Sequence, residues 1–233
     1  MPNIQFDRIV DLSHLITTHI PVWPDDPPTT FTPQASLQEH GYYLRSFSMG
    51  EHSATHMNAP SSFFPQAMGI DGYRPEALVR PAVVIDVQAP ARDNPDHVIN
   101  IQDIEQWEVD NGLIEAGSVV LFHTGWQSRW SQPGRFFNAD EQGLHFPGVG
   151  ADASRFLLEQ RAIAGIGIDT HGVDPGQETS FACNRLVLAR NGIILECLNN
   201  LDQLPPTGIT LVIGVLRLQE GSGSPASVLA FVR

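Results

Sequence analysis

Basic side chains are scarce: 13 Lys and Arg residues stand against 26 Asp and Glu, for a formal charge of −13. A surface that negative repels phosphate backbones and anionic lipid, so neither nucleic acid nor a membrane surface is an expected partner. Cysteine is scarcer still, with Cys183 and Cys197 alone. Two thiols make no disulfide framework, and reduced side chains in a cytoplasm are the expectation. No apolar run approaches the ~20 residues that span a bilayer. The opening Met1-Pro-Asn-Ile-Gln-Phe-Asp-Arg8 lacks the basic and apolar regions of a signal peptide, in keeping with a cytoplasmic location. No internal repeat and no low-complexity tract interrupts the chain.

The 233 residues are 42% hydrophobic and 17% charged, the balance of an ordinary globular chain with a sizeable core. Residues 1–233 read as one domain. Short runs rich in β-branched residues predict strands at Ala82–Val87, Ser118–His123, Ala162–Asp169, Ile193–Cys197, Thr210–Val215 and Ser227–Val232. Tyr43–Ser48 alternates and predicts a half-exposed strand. Helices are fewer. Asn100 can cap one through Ile101–Trp107 that Gly112 ends, Asp152 can start a second running to Arg161, and a third spans Asn184–Arg190 before Gly192. Strands outnumber helices without strict alternation, which predicts an α/β fold with a mixed sheet. Pro21-Val-Trp-Pro-Asp-Asp-Pro-Pro28 is too rich in proline for a helix or a central strand and reads as a stiff loop carrying Trp23.

The segment His52-Ser-Ala-Thr-His56-Met-Asn58-Ala-Pro60-Ser-Ser62 carries the chemistry. Two imidazoles four apart share one face if the segment makes a helical turn, and neutral imidazoles at that spacing ligate zinc, manganese or iron. The alternative is a pair of hydrogen-bonded structural histidines. His171 and His123 are lone histidines at strand ends. Ser48 and Ser62 have no base beside them in sequence, so a serine nucleophile is not expected.

Taken together, these segments resemble the cyclase family, metal-dependent hydrolases that include bacterial kynurenine formamidase and isatin hydrolase. His52–Ser62 is similar to its HxGTHxDxPxH signature. Asp11-Leu-Ser13 with Pro21-Val-Trp-Pro-Asp25 resembles its DLS and PxWPGD opening, Thr124-Gly-Trp126 its TGW, and Gly167-Ile-Asp-Thr170 with Asp174-Pro175 its GxDTxxxDP. The segments at Asn184 and Glu196 resemble its AHxxLL and LExL pair. The resemblance implies a swivelling β/β/α fold with a mixed sheet, usually assembled as a homodimer or homotetramer. This chain also departs from the pattern. Ala54 replaces the motif glycine, read as a modest steric change. Asn58 stands where the family has a metal-ligating aspartate, Ser62 where it has a histidine that acts as acid and base, and Asn184 where a second-metal histidine is usual.

The resemblance therefore implies metal ligands at His52, His56 and Glu196, with Asn58 as a weak carbonyl ligand. Glu196 alone would be anionic, and the surplus charge of two buried divalent cations is costly without pairing. One zinc or manganese ion, or none, is the expectation. Catalytic candidates are Glu196, which could serve as a base where no metal occupies it, His171 and Asn58. His171 or His123 could stand in for the lost proton carrier at position 62, the alternative for each being an ordinary hydrogen-bonded role, since neither belongs to a motif position. Trp23, Ser62, Asn184 and Trp126 are expected to line the substrate pocket, although Trp126 could equally fill a core gap. The reaction implied is hydrolysis of a small cyclic or linear amide, lactam or lactone, with kynurenine formamidase's own reaction disfavoured by the changed positions. A metal-independent lyase or isomerase, or a catalytically silent small-molecule-binding protein, is the alternative on the same fold.

Overall fold

A computed structural model describes residues 5–233; Met1–Ile4, the first part of the stretch read for a signal sequence, lie outside it. The chain runs β1 (Arg8–Asp11), β2 (Thr30–Ala35), α1 (Leu37–His40), β3 (Leu44–Ser48), β4 (His56–Asn58) and β5 (Val79–Asp86). It continues through α2 (Gln88–Asp93), β6 (Val98–Ile99), α3 (Ile101–Asn111), β7 (Val119–His123), α4 (Pro133–Phe137), β8 (Ala139–Asp140), β9 (Gly143–Leu144) and β10 (Gly148–Val149). It ends with α5 (Ala151–Gln160), β11 (Gly165–Ile168), α6 (Ala182–Leu188), β12 (Ile193–Glu196), β13 (Ile209–Val215) and β14 (Gly223–Val232). Among the described residues no helix is long and apolar enough to cross a membrane.

Eight strands form a mixed sheet in the order β1-β14-β13-β5-β7-β11-β12-β4, and β4 also pairs with β14. That last pairing closes the sheet on itself. β5, β7, β11 and β12 run parallel, so their C-terminal ends share one rim. The mixed sheet expected from the sequence is present. Its closure depends on β4, a strand of three residues for which the sequence gives no signal.

Both faces of the parallel strands are buried, which is why they read as near-continuous apolar runs. Val83, Ile85, Val120, Phe122, Ile166 and Ile168 pack outward against residues of α3, α5 and α6, including Ile104, Leu157 and Val187. Ala82, Val84, Val119, Leu121 and Leu195 alternate with them and fill the other core with Met57, Leu211 and Ala230. Along a strand the period is two, so each run serves both cores at once.

The α3 start is the one the sequence implies. Asn100 accepts from the Gln102 and Asp103 N–H groups while Asp103 accepts from the Asn100 N–H, a reciprocal capping box, and Gly112 follows the helix. The α5 and α6 starts differ from expectation. α5 opens after Gly150, and α6 begins at Ala182, two residues early, because a distant carboxylate caps it. β3 also departs from its expected half burial. All five residues are exposed, since β3 pairs only with β2 as a ribbon standing off the main sheet.

Glu108 near the end of α3 and Arg161 just after α5 tie the outer helices together. The Arg161 Nε and terminal nitrogens donate to the two Glu108 carboxylate oxygens at 2.6 and 2.8 Å, and the Ile114 N–H adds a third bond at 3.1 Å. Chiefly through Arg161, and against the effect of burial, these bonds hold the Glu108 carboxyl below its ordinary range. A depressed carboxyl adds stability above its unfolded value and loses it as the pH falls through its folded value. Arg161→Leu is expected to cost about 2 kcal/mol at neutral pH by leaving Glu108 unpaired. Urea unfolding of both proteins at pH 7 and at pH 3 checks this: the gap in midpoint should shrink in acid.

Candidate active site

The register of β4 against β12 sets the site. His56 lies opposite Glu196, and Asn58 opposite Ile194. Directly opposed residues of an antiparallel pair bring their side chains within reach, and His56 and Asn58, two apart, share one face. His56 Nε2 accordingly sits 3.0 Å from Glu196 Oε2, both side chains buried. The nitrogen is close to the carboxylate but not aligned with it, and counts as a buried nitrogen lacking a proper hydrogen-bond partner. Nδ1 of the same ring lies 2.8 Å from the Ala54 carbonyl.

The helical turn expected for His52–His56 is absent. His52 lies in a turn, His56 opens β4, and the two rings meet edge to face with centroids 5.3 Å apart. The chain gets from one to the other through Ala54 at φ 56°, in the left-handed region. The departure from the motif glycine is therefore conformational rather than steric. Gly223 on β14 accommodates His52, since a Cβ there would lie 2.6 Å from the His52 Cε1.

A chain of amides links the histidines to two carboxylates. Asn184 Nδ2 donates to Asp174 Oδ2 at 3.0 Å and to Glu196 Oε1 at 3.2 Å. With its NH2 turned to the carboxylates, its carbonyl accepts from Asn58 Nδ2 at 2.9 Å. The Asn58 carbonyl is then left facing His52 Nδ1 at 2.9 Å, so that nitrogen carries the proton. On its other side His52 Nε2 meets Ser222 Oγ at 2.9 Å, and Ser222 donates to Glu51 at 2.6 Å. Ser62 also donates to the Ser222 backbone carbonyl. Ser222 carries no sequence signal; Glu51, adjacent to His52, offered one that the motif reading passed over.

Asp174 has a second task. Its carboxylate accepts from the Cys183 and Asn184 N–H groups at 2.6 and 3.2 Å and so caps α6 from outside the helix. Burial pushes its carboxyl up to about 6 against those bonds. Burial acts the same way on Glu196, but His56, the Val173 N–H and Asn184 outweigh it and bring that carboxyl down to about 2. Burial, then the neighbouring His56, lowers the pKa of His52. Burial and His56 also bring His171 down to about 4.

These side chains open into a cleft of about 580 Å³. The expected residues His52, His56, Asn58, Ser62, His171, Asn184, Glu196 and Trp23 all line it. Trp23 stands 5.1 Å from the His171 ring, and Phe63, Phe146 and Phe181 add apolar wall. His171 Nε2 is buried and without a partner. Glu178, a loop carboxylate that the sequence offered equally as a stand-in acid or base and as a solvated surface group, reaches the rim.

Two expected site residues belong elsewhere. Trp126 is 2% exposed, packed with Phe136 and Phe146 and donating its Nε1–H to the Phe136 carbonyl at 2.6 Å, so it is core and no part of the substrate pocket. Thr124 beside it anchors buried Asp169 through its N–H and hydroxyl at 3.0 and 2.7 Å, which accounts for the Thr-Gly-Trp turn structurally. His123 faces a separate cleft with Trp107 and Leu201 and cannot replace the proton carrier at position 62. Both cysteines are buried and free.

Whether a cation fits is decided by the donors. Among the described residues no set of three or more His, Cys, Asp and Glu side chains is grouped as it would be round a metal ion. Unpartnered His56 Nε2 beside Glu196 offers two donors, and His52 and Asn58 can join only by exchanging the bonds they already make. The residues fit one loosely held ion and not two.

Residues 10–175 match the family model Cyclase, described as "Putative cyclase". Isatin hydrolase of Roseibium aggregatum is 36% identical over 192 residues, 79% of this chain and 73% of that one. Kynurenine formamidase of Bacillus cereus is 27% identical over 217 residues, 93% of each chain. The solved structure of isatin hydrolase A from Ralstonia solanacearum superposes with a TM-score of 0.91 at 34% identity, covering 97% of this chain and 92% of that one.

A left-handed alanine costs about 1–2 kcal/mol, part of which glycine would give back in unfolded-chain entropy. Ala54→Gly is expected to raise stability by about 0.5–1 kcal/mol, read as a higher melting temperature in calorimetry.

Proposed function

Because the chain belongs to the cyclase family, we propose that it hydrolyses the carbon–nitrogen or ester bond of a small cyclic or linear amide, lactam or lactone in this cleft. The observation that carries the reading is His171: a buried imidazole with an unpartnered Nε2, on the wall of an aromatic cleft that also holds Glu196 and Asn58. Burial and His56 bring its pKa to about 4, so the ring is neutral at pH 7 and its free nitrogen can accept a hydrogen bond from an attacking water and orient it. The chain contains no lysine, both thiols are buried with raised pKa values, and Ser62 has its hydroxyl committed to a backbone carbonyl.

The remaining residues take supporting roles. Asn58 uses one N–H on Asn184 and leaves the second for a developing oxyanion. Asn184 and the Val173 N–H keep Glu196 ionised and fixed. Trp23, Phe146 and Phe181 suit a flat or cyclic substrate such as isatin, named in the relatives' activity. Residues that would hold a divalent cation, zinc or manganese, are His52, His56 and Glu196 with the Asn58 carbonyl. Such an ion, when bound, polarises a carbonyl and lowers the pKa of its water.

A metal-independent lyase or isomerase, or a silent binding protein, is the second reading; it draws on the amide chain from Asp174 to His52, in which every link already has a partner. We place the protein in the cytoplasm, where two free buried thiols stay reduced, and expect a homodimer or homotetramer. The exposed Leu44 and Phe47 of the β2–β3 ribbon, with Tyr42 and Tyr43 just before β3, support assembly, since an isolated two-stranded ribbon is marginal in water.

His171→Asn is expected to lower kcat on isatin or a related lactam or ester by about 10²- to 10⁴-fold in protein that the melting curve shows to be folded. Turnover measured by absorbance, beside a melting curve, checks this; undiminished kcat would remove His171 from the chemistry. A second expectation concerns the cation. Asn58→Asp with Asn184→His restores an anionic ligand and an imidazole, and should raise zinc or manganese affinity by about tenfold or more. Metal titration of both proteins reads this directly, and equal affinities would mean that the backbone no longer supports the ligand geometry.

A further inference from the structure

One wall of the cleft is fastened by a histidine outside the site described so far. Gln142, Gly143 and Leu144 of the β8–β9 hairpin, with Phe146, line the cleft. His145 follows that hairpin. Its Nδ1 lies 2.9 and 2.8 Å from the two carboxylate oxygens of Asp96, in the loop before β6, and its Nε2 lies 3.0 Å from Asp140 Oδ1 on β8. A neutral imidazole has one N–H, so one of these carboxylates would face a ring lone pair. Only the imidazolium donates to both.

We propose that His145, as an imidazolium bridging Asp96 and Asp140, is a positioning residue that latches the β8–β9 hairpin over the cleft, so that substrate affinity falls when His145 loses its proton. The substrate half of this inference rests on the hydrolase reading; the latch itself does not. The hairpin has other ties: the Gln142 N–H donates to Asp140 Oδ1 at 2.7 Å, Gln177 to the Leu144 carbonyl at 2.8 Å and Asn138 to the His145 carbonyl at 2.9 Å. Of these acceptors only Asp140 titrates, and the Gln142 N–H and then His145 hold its carboxyl below the ordinary range. The groups facing the ring are Asp96, Asp140 and the neutral Gln177 amide, while Glu178 on the same loop as Gln177 accepts from the Ser180 N–H.

The bonds to Asp96, then to Asp140, raise the His145 pKa above its ordinary value. A raised histidine contributes fully below its unfolded value near 6.5, and its contribution is lost as the pH rises through the folded value. The latch is thus closed in mild acid and opens as the pH rises through the raised folded value of His145.

Hydrogen exchange of the amides of residues 139–144, corrected for intrinsic base catalysis, tests this in the native protein, His145→Gln and Asp96→Asn. The native hairpin should exchange about three- to tenfold faster once His145 deprotonates. His145→Gln should exchange at the faster rate at every pH, and the His145 titration seen by NMR should move to lower pH in Asp96→Asn. KM for the turned-over substrate should rise across the same pH window at constant kcat in the native protein alone. Exchange that is flat with pH in the native protein, or unchanged in His145→Gln, would overturn the latch. Exchange that follows the latch in a protein that turns nothing over upholds it and counts against the hydrolase reading alone.

Discussion

The opposition of His56 and Glu196 across two antiparallel strands is the contact on which the rest of the site depends. β4 is three residues long, yet it pairs on one side with β12 and on the other with β14, and so both closes the sheet and carries the site. A shift of one residue would turn His56 and Asn58 away from Glu196, because side chains alternate along a strand. Closure and chemistry therefore share a register. The aligned ends of the parallel strands then supply what surrounds the pair: the loop from Asp169 to Asp174 beyond β11, and Glu196 itself at the end of β12.

Charge explains the polar network around that pair. Two carboxylates, Asp174 and Glu196, sit within reach of one amide, and each would be expensive to bury unaided. Asn184 donates to both, and two helical N–H groups serve Asp174 as well. The orientation of Asn184 then dictates Asn58, and Asn58 dictates the protonated nitrogen of His52. A carboxylate at position 58 could not have joined this chain, since it has no N–H to give to Asn184. The two asparagines are thus mutually consistent, and together they leave Glu196 and unpartnered His56 as the firmest donors for an ion.

Sequence patterns were readable where local physics alone decides the structure. Val83–Ile85 and Val120–Phe122 read as buried strands because both faces are covered, and Asn100 read as a helix start because the cap is made within four residues. Long-range contacts escaped. The turn between His52 and His56 is not helical, since β4 is made only by its partners. α6 begins early because Asp174, eight residues before its first residue, caps it from outside the helix. Trp126 and Trp23 are the same residue type in similar loops, and only tertiary packing puts one in the core and the other on the cleft. Glu196 was legible as a site residue by its place in the family pattern and His171 only as a lone histidine in the loop after β11, whereas Ser222 meets His52, and His145 meets Asp96, across separations that no motif spans.

The account stands on the cleft delivering a water molecule to a carbonyl. Turnover of isatin or a related lactam or ester in water enriched with oxygen-18, followed by mass spectrometry of the product, tests that directly. One labelled oxygen in the product carboxylate, formed at a rate that the enzyme concentration sets, is the expected result. A product without label, or a ligand that binds and is released unchanged, would contradict it.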